Sequence, residues 1–290
     1  MVEQARSRPG RPTRGAITAP RPAAPALRTR PRPQRAAPAT TVVIPAYNEQ
    51  DGIAAVLRDV FAVIGKGDEV LVVDDGSEDA TYAVASSFPC RVVSHWRRQG
   101  KGAAMRTAIH LARGKNVVFI DADGSYPAAA IPEIARALAE YEMVVGSRVA
   151  GRENVPPFNR FGNAIFRGCI RLVFGFRPDD PLTGLYGLNR DRLLSMNLSS
   201  RGFGIEAEIA IKAARMGLRT SDIAIEYGAR IGRPKLNGLK DGFVILLTIV
   251  RLLPRYRPWL CALPTAALLS VGAVLGLLVP PAAAWEALLP

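Results

Sequence analysis

The sequence contains few of the residues from which disulfide bridges and Cys/His metal sites are built. Its 290 residues include 3 cysteines and 2 histidines. The cysteines are far apart, and no spacing between cysteine and histidine matches a zinc site. These absences argue against a disulfide-stabilised scaffold and against a zinc-binding protein. We expect the cysteines to behave as small apolar residues, and His95 and His110 to pack or face solvent rather than catalyse.

Acidic residues are also in the minority, with 25 Asp and Glu against 38 Lys and Arg and a formal net charge of +13. Residues 1–40 hold nine arginines, eight prolines and one acid, so they carry +8 and leave +5 for the other 250 residues. This segment has few apolar residues to bury, and proline removes backbone donors, so we predict a disordered tail. Because most of the excess charge lies in the tail, we expect no nucleic-acid partner.

From Thr41 onward, short β-branched runs alternate with helical stretches. The predicted strands are 41–44, 70–73, 91–94, 116–120 and 143–145, and the predicted helices lie near 52–64, 79–87, 102–112 and 130–140. Alternation at this spacing predicts the α/β class, with a mainly parallel sheet and helices on both faces. In such sheets ligands bind at the carboxyl ends of the strands. The residues that follow each strand are therefore where binding or catalytic side chains are expected.

Polar and acidic residues follow four of the predicted strands. They are Pro45-Ala46-Tyr47-Asn48-Glu49, Asp74-Asp75-Gly76-Ser77, Asp121-Ala122-Asp123-Gly124 and Gly146-Ser147-Arg148. Several acids at neighbouring strand ends are costly to place together unless a cation offsets them. Asp121 and Asp123 can reach one hard ion such as Mg²⁺ or Mn²⁺ and leave coordination positions for substrate phosphates. The sequence therefore predicts a metal site formed by these two aspartates.

A glycine-rich segment, Gly100-Lys101-Gly102, opens the third predicted helix. Its backbone amides and the Lys101 side chain could face a phosphate. It is not a Walker A loop, because His95 stands where that loop needs a glycine and Gly102 where it needs Ser or Thr. A dinucleotide-binding fingerprint fails as well, since no glycine has the required spacing.

A long uncharged run occurs near the C-terminal end. Residues 259–279 form a mainly apolar run of 21 residues inside the uncharged stretch between Arg257 and Glu286. At about 1.5 Å per residue, a helix of this length spans the roughly 30 Å hydrocarbon core. We predict a transmembrane helix here, with a buried globular helix as the alternative. Residues 280–290 would form a short tail.

The segment before this run, residues 237–258, is predicted to be amphipathic, with an interfacial helix at 239–253. It ends in three arginines, Arg251, Arg255 and Arg257. Positive charge on this side of a span indicates the cytoplasmic side. The expected location is therefore the cell membrane, with the α/β domain facing the cytoplasm.

Seven short motifs, in their order along the chain, resemble the family 2 glycosyltransferases. They are Pro45-Ala46-Tyr47-Asn48-Glu49, Val73-Asp74-Asp75-Gly76-Ser77, Gly100-Lys101-Gly102, Asp121-Ala122-Asp123-Gly124, Val145-Gly146-Ser147-Arg148, Gly202-Phe203-Gly204-Ile205-Glu206 and Arg230-Ile231-Gly232-Arg233-Pro234-Lys235-Leu236. Within that family the motifs resemble dolichol- or polyprenyl-phosphate sugar transferases such as dolichol-phosphate mannosyltransferase. The resemblance implies a nucleotide-sugar-binding fold of the GT-A type with its catalytic domain at 41–236, a Mg²⁺ or Mn²⁺ cofactor, and inverting transfer of one sugar from a GDP- or UDP-linked donor to polyprenyl phosphate.

The resemblance also implies roles for individual residues. The nucleotide-sugar-binding residues would be Pro45, Tyr47, Glu49, Asp75, Lys101, Asp121 and Ala122, and the metal ligands Asp121 and Asp123. Asp123 and Arg148 would be catalytic, and the acceptor or phosphate site would hold Arg148, Arg160, Arg230 and Lys235. The chain departs from the family pattern at two positions, because Ser125 stands where relatives often have a Gln metal ligand and Pro234 replaces a serine.

A phosphate acceptor also agrees with the scarcity of histidine, the usual general base. A phosphomonoester has a second pKa of about 6 and is largely ionised near neutral pH, so its oxygen needs no general base. One alternative is a transferase with a hydroxyl acceptor, for which Asp180 would be the candidate base. Another is a non-catalytic nucleotide-sugar-binding scaffold. Glu206 and Glu208 lie two residues apart on a predicted helix, so they cannot both face the cleft, and we expect one to be structural.

Overall fold

The computed structural model describes residues 39–232 and 238–260. Within these ranges the strands are β1 Thr40–Ala46, β2 Glu69–Asp74, β3 Arg91–Ser94, β4 Asn116–Phe119, β5 Met143–Ala150, β6 Tyr186–Asn189 and β7 Thr220–Glu226. The α-helices are α1 Ile53–Val63, α2 Thr81–Ser86, α3 Lys101–Leu111, α4 Ile131–Ala137, α5 Pro157–Cys169, α6 Arg190–Ser195, α7 Ile205–Arg215 and α8 Gly238–Tyr256. A π-helical turn, Ile170–Phe174, continues α5.

The seven strands form one sheet in the order β3-β2-β1-β4-β6-β5-β7. Strands β3, β2, β1 and β4 are parallel, and β7 is parallel to β5. Only β6 is antiparallel to its neighbours, β4 and β5. The prediction of an α/β fold with a mainly parallel sheet is therefore confirmed, and β6 is the exception that makes the sheet mixed.

The sheet is buried on both faces, which explains why its central strands are continuously apolar rather than alternating. In β1, Val43 belongs to a cluster with residues of α3, α6, α7 and α8, whereas Val42 and Ile44 belong to a second cluster with residues of α1 and α4. All three side chains are fully buried. Helices therefore cover both faces, as the alternation of elements predicted.

Strand β5 is longer than the sequence predicted. The expected strand ended at Val145, with Gly146 to Arg148 placed in the loop after it. In the structure β5 continues to Ala150 because it pairs with β7, for example Arg148 with Ile225. Arg148 is consequently fixed by sheet hydrogen bonding.

Helix α8 covers the interfacial helix predicted at 239–253 and has two apolar sides. One side buries Ile245, Ile249 and Leu252, and the helix packs against α5 and α7. Other apolar side chains of α8 are exposed, namely Leu239, Phe243, Leu246, Leu247 and Val250. The helix is thus packed on the domain by one stripe and leaves a second stripe uncovered by the described residues.

No helix in the described part of the chain combines the length and apolar character needed to cross a membrane. The predicted span at 259–279 lies outside the described residues except for its first two positions, which are helical. The tail to residue 38, Lys235 and residues 280–290 also lie outside them. The predictions for these segments stay predictions.

Candidate active site

The two aspartates that follow β4 each contact a cationic side chain. Lys101 Nζ lies 2.7 Å from Asp121 Oδ1. Arg230 contacts Asp123 through Nη2 and reaches Glu49 through Nη1, which is 3.6 Å from Oε1. Asp123 is 2% exposed, so its negative charge is offset inside the protein rather than by water. The structure therefore brings together five residues that the sequence assigned to the site.

The carboxylate of Asp121 lies against the backbone of Gly184. A Cβ at Gly184 would be 2.3 Å from Asp121 Oδ2, a distance that no side chain tolerates. The amide of Gly184 donates to Tyr126 Oη at 2.7 Å, which fixes the backbone at this contact. Sequence reasoning missed Gly184, because a single glycine 63 residues from Asp121 carries no signal of proximity.

Lys101 bridges two carboxylates, because its Nζ also lies 2.7 Å from Glu206 Oε1. Burial alone would lower the pKa of Lys101, but Asp121 and Glu206 raise it above its usual value, so the ammonium stays protonated. Burial raises the pKa of Glu206, and Lys101 partly offsets this. As their spacing predicted, Glu206 faces the cleft while Glu208 faces Lys212 on the other side of α7.

Arg148 is held by Asp180 in a two-pronged ion pair. Its Nε and Nη2 lie 2.5 and 2.8 Å from the two carboxylate oxygens. Its guanidinium also lies over the ring of Tyr227, 5.4 Å from the centroid. Burial alone would lower the pKa of Arg148, but Tyr126 and Asp180 raise it, so the charge is permanent. Asp180, the candidate base for a hydroxyl acceptor, thus has both carboxylate oxygens engaged.

Three of the residues predicted to hold the nucleotide, Pro45, Tyr47 and Glu49, lie at the end of β1 and in the turn after it. Arg98 stacks on the ring of Tyr47, 4.3 Å from its centroid. Pro45 lies within β1, while Glu49 and Ala122 are buried at 8% and 3% exposure. Glu49 shares Arg230 with Asp123, and the role of each of these residues in donor binding stays a prediction.

The carboxylate of Asp75 is engaged by other residues of the protein. Its carboxylate accepts hydrogen bonds from the amides of Gln99 at 2.9 Å and Gly100 at 2.6 Å, and it contacts His95 Nδ1 at 2.7 Å. The other ring nitrogen of His95 lies 2.9 Å from Thr107 Oγ1. Asp75 therefore fixes the segment that leads into α3, and His95 packs in this network, as predicted.

The site opens into a cavity of about 370 Å³ between α5 and α8. Predicted residues on its wall are Lys101, Asp121, Arg148 and Arg230. The two helices contribute Asn159, Gly162, Asn163 and Phe166 from α5 and Gly238, Gly242 and Ile245 from α8. Arg160 is exposed and is not among the described residues that line the cavity, although sequence reasoning assigned it to the acceptor site. A second cavity, of about 580 Å³, lies by Thr220 at the start of β7 and contains no predicted site residue.

Two aspartates provide the oxygen ligands that a hard divalent ion needs. In the described ranges, no cluster of three or more His, Cys, Asp or Glu side chains could hold a metal. Ser125, at the position where relatives often have a Gln ligand, donates its amide and hydroxyl to Asp123 Oδ1 at 2.9 and 2.5 Å. The pair fits Mg²⁺ or Mn²⁺ in its donor atoms, because carboxylate oxygens suit hard ions, and Lys101 and Arg230 contact the same two carboxylates in this structure.

Comparison with known proteins identifies the family. Residues 41–190 match the family model described as Glycosyl transferase family 2. The chain belongs to this family. It is therefore a glycosyltransferase, and the family resemblance seen in its motifs is confirmed.

Individual relatives agree with this assignment. The chain is 31% identical over 212 residues to a dolichyl-phosphate hexose transferase of Haloferax volcanii, covering 72% of this chain and 92% of that protein. It is 29% identical over 225 residues to a dolichol-phosphate mannosyltransferase of Pyrococcus furiosus, covering 73% and 63%. Among solved structures it resembles glucosyl-3-phosphoglycerate synthase from Mycobacterium tuberculosis in complex with Mn²⁺, UDP-glucose and phosphoglyceric acid, with a TM-score of 0.60, 26% identity and coverage of 74% and 79%.

Proposed function

We propose that this glycosyltransferase moves a single sugar from a UDP- or GDP-linked donor onto polyprenyl phosphate, with inversion at the anomeric carbon. The observation that carries the proposal is the arrangement of charge around one cavity. Asp121, Lys101 and the fixed guanidinium of Arg148 line this cavity, and Arg230, which also lines it, contacts Asp123. The relatives named as dolichyl-phosphate and dolichol-phosphate transferases support a lipid phosphate as acceptor.

On the donor side, Asp121 and Asp123 would hold Mg²⁺ or Mn²⁺, which supplies positive charge for the departing nucleoside diphosphate. The crystallised relative with Mn²⁺ and UDP-glucose supports this assignment. Lys101 stays protonated between its two carboxylates and would face the diphosphate from the first turn of α3. Tyr47 and Glu49 would contact the nucleoside.

On the acceptor side, a phosphate oxygen attacks the anomeric carbon from the face opposite the leaving group. The bond from that carbon to the diphosphate oxygen breaks, and the electron pair leaves with the nucleoside diphosphate. No proton needs to be removed from an ionised phosphate. Arg148, held by Asp180, provides a fixed positive charge for aligning the acceptor.

The exposed apolar side chains of α5 and α8 support a location at the membrane. Phe161 and Ile165 of α5 are 69% and 48% exposed, and Phe243 and Leu247 of α8 are 65% and 54% exposed. Large exposed apolar side chains on two adjacent helices are typical of a membrane-contacting surface, and nearby arginines favour anionic lipid. We propose that this surface lies on the cytoplasmic leaflet, so that the cavity between the helices opens toward the lipid acceptor.

The hydroxyl-acceptor alternative has one observation in its favour. The crystallised relative has phosphoglyceric acid bound, which is not a lipid. Against it, the described residues that line the cavity include no histidine, and Asp180 is engaged by Arg148. The proposal therefore keeps phosphate as the attacking group.

The test is transfer by the purified full chain. Radiolabelled UDP- and GDP-sugars are offered with polyprenyl phosphate, with and without Mn²⁺, and a parallel reaction contains 3-phosphoglycerate instead of lipid. We expect a lipid-linked product that depends on the metal. Label found only in phosphoglycerate, or no lipid-linked product from any donor, would contradict the proposed acceptor.

A further inference from the structure

A buried ion pair lies on α7 and begins two residues after Glu206. Lys212 Nζ is 2.6 Å from Glu208 Oε1, and the two residues are 6% and 1% exposed. Burial alone would raise the pKa of Glu208, but hydrogen bonds from Lys212 and Ser200 hold it below its usual value. Buried ion pairs contribute little net stability, because desolvation offsets the attraction. Their presence here calls for another explanation.

The partners of this pair all lie in one segment, residues 196–200. Glu208 accepts the backbone amide of Ser199 at 3.0 Å and that of Ser200 at 2.7 Å. Lys212 donates to the carbonyl of Met196 at 2.9 Å and to that of Asn197 at 3.0 Å. The two charged groups therefore fix the backbone of the segment through both its donors and its acceptors.

The same segment packs on the first turn of α3. The amide of Ala103 donates to the carbonyl of Arg201 at 3.0 Å. A Cβ at Gly102 would lie 2.5 Å from Ser200 O, and one at Gly100 would lie 2.5 Å from Arg201 O. Glycines on both sides of Lys101 thus permit a backbone contact that larger residues would prevent.

Lys101 is held between two anchors. On one side Asp75 accepts the amide of Gly100 at 2.6 Å, and on the other Arg201 accepts the amide of Ala103. A lysine side chain has several rotatable bonds and little intrinsic order, so the position of its ammonium depends on where its backbone is fixed.

We propose that Glu208 and Lys212 are positioning residues of the site. By fixing residues 196–201 against the first turn of α3, they set the place of the Lys101 ammonium beside Asp121. The effect on nucleotide binding rests on the proposed function, in which Lys101 faces the donor diphosphate. The effect on the backbone of α3 does not.

The experiment compares Glu208→Gln with the parent by two readouts. The first is amide hydrogen exchange in residues 100–104, which we expect to accelerate about tenfold as the first turn of α3 loses its anchor. The second is the affinity for UDP and for GDP in the presence of Mn²⁺, measured by calorimetry. We expect the dissociation constant of whichever nucleotide binds the parent to rise by about tenfold. Lys212→Met removes the donor to the carbonyls of Met196 and Asn197 and should change both readouts in the same direction.

Gly102→Ala reaches the same contact without altering the ion pair. Its Cβ would push Ser200 away from α3, while alanine favours the helix. We expect the same loss of nucleotide affinity, together with a lower melting temperature because the clash is with backbone atoms. This variant also decides the question if Glu208→Gln does not fold.

Glu69→Gln is the matched control. Glu69 is the first residue of β2 and lies at the amino ends of the strands, whereas the candidate site follows their carboxyl ends. Glu69 accepts from Thr41 Oγ1 at 2.7 Å and from the amide of Arg113 at 2.9 Å, so it too joins separate segments. We expect it to lower the melting temperature and to leave both readouts unchanged.

Two results separate the proposals. If Glu208→Gln and Gly102→Ala leave exchange and affinity at the parent values, the positioning role is wrong. If the parent binds neither nucleotide, the proposed function fails, and exchange in residues 100–104 alone decides the positioning role.

Discussion

The carboxylate of Asp121 packs directly against the backbone of Gly184. A Cβ added at Gly184 would lie 2.3 Å from Asp121 Oδ2. The contact limits where the carboxylate of Asp121 can lie, and Lys101 Nζ is 2.7 Å from its Oδ1. It also makes the proposed metal site dependent on a residue that carries no functional group.

Gly184→Ala is therefore expected to displace Asp121 and to weaken Mn²⁺ binding by about tenfold or more, since a displacement of about 1 Å is enough to impair a site of this kind. Binding can be followed by the electron paramagnetic resonance signal of free Mn²⁺. Gly67→Ala is the control, because a Cβ there meets no atom within 4 Å. Equal Mn²⁺ affinity in both variants would show that Asp121 is not a ligand.

Asp123→Ala should reduce sugar transfer by about a thousandfold or more, because it removes one of two carboxylates assigned to the metal. The rate is measured with the best donor and polyprenyl phosphate at saturating Mn²⁺. Asp191→Ala, on the exposed helix α6, serves as the control. A variant that keeps a near-normal rate would exclude Asp123 from the metal site.

Arg148→Lys should lower transfer by about a hundredfold, although the charge is kept. Lysine cannot form the two parallel bonds that Asp180 makes with the guanidinium. Steady-state kinetics with varied acceptor should show the loss in both kcat and KM.

Asp180→Asn distinguishes the two acceptor classes. With a phosphate acceptor, Asp180 only holds Arg148, and we expect a loss of about tenfold. If Asp180 were the base for a hydroxyl acceptor, its removal would abolish transfer at every pH. The pH profile of kcat/KM for both proteins provides the measurement.

The lowered pKa of Glu208 predicts how the free energy of unfolding depends on pH. Its folded-state pKa lies below the unfolded value of about 4.3, so the native state favours the ionised form. This contribution is present above about pH 4.3 and is lost as the pH falls through the folded pKa. The difference in free energy of unfolding between the parent and Glu208→Gln should therefore shrink between about pH 6 and pH 3. Urea denaturation in detergent tests this, and a constant difference would contradict it.

The exposed apolar stripe of α8 predicts a lipid-dependent defect. Leu247→Glu should lower transfer to a long polyprenyl phosphate in vesicles several-fold, because it places a charge in the proposed membrane surface. Transfer to a short water-soluble prenyl phosphate should be unaffected. Tyr82→Glu, on the exposed side of α2, is the control. An equal loss with both acceptors would argue against a membrane contact at Leu247.

The local sequence determined the α/β class, the approximate positions of the first five strands along the chain and the grouping of Asp121, Asp123 and Lys101. This was possible because the carboxyl ends of parallel strands meet at one edge, so residues that follow those strands become neighbours wherever they lie in the sequence. The positions of Asp121 and Asp123 after β4, and of Lys101 at the start of α3, could be predicted from the local sequence alone.

Only the tertiary structure decided which side chains hold these residues in place. The antiparallel β6, the extension of β5 along β7, the pairing of Arg148 with Asp180 and the contact of Asp121 with Gly184 all join distant segments. Periodicity and turn chemistry describe a few residues at a time, whereas these contacts depend on how whole elements pack. For the same reason the sequence could show that Glu206 and Glu208 point apart, but only the fold showed that each one faces a lysine.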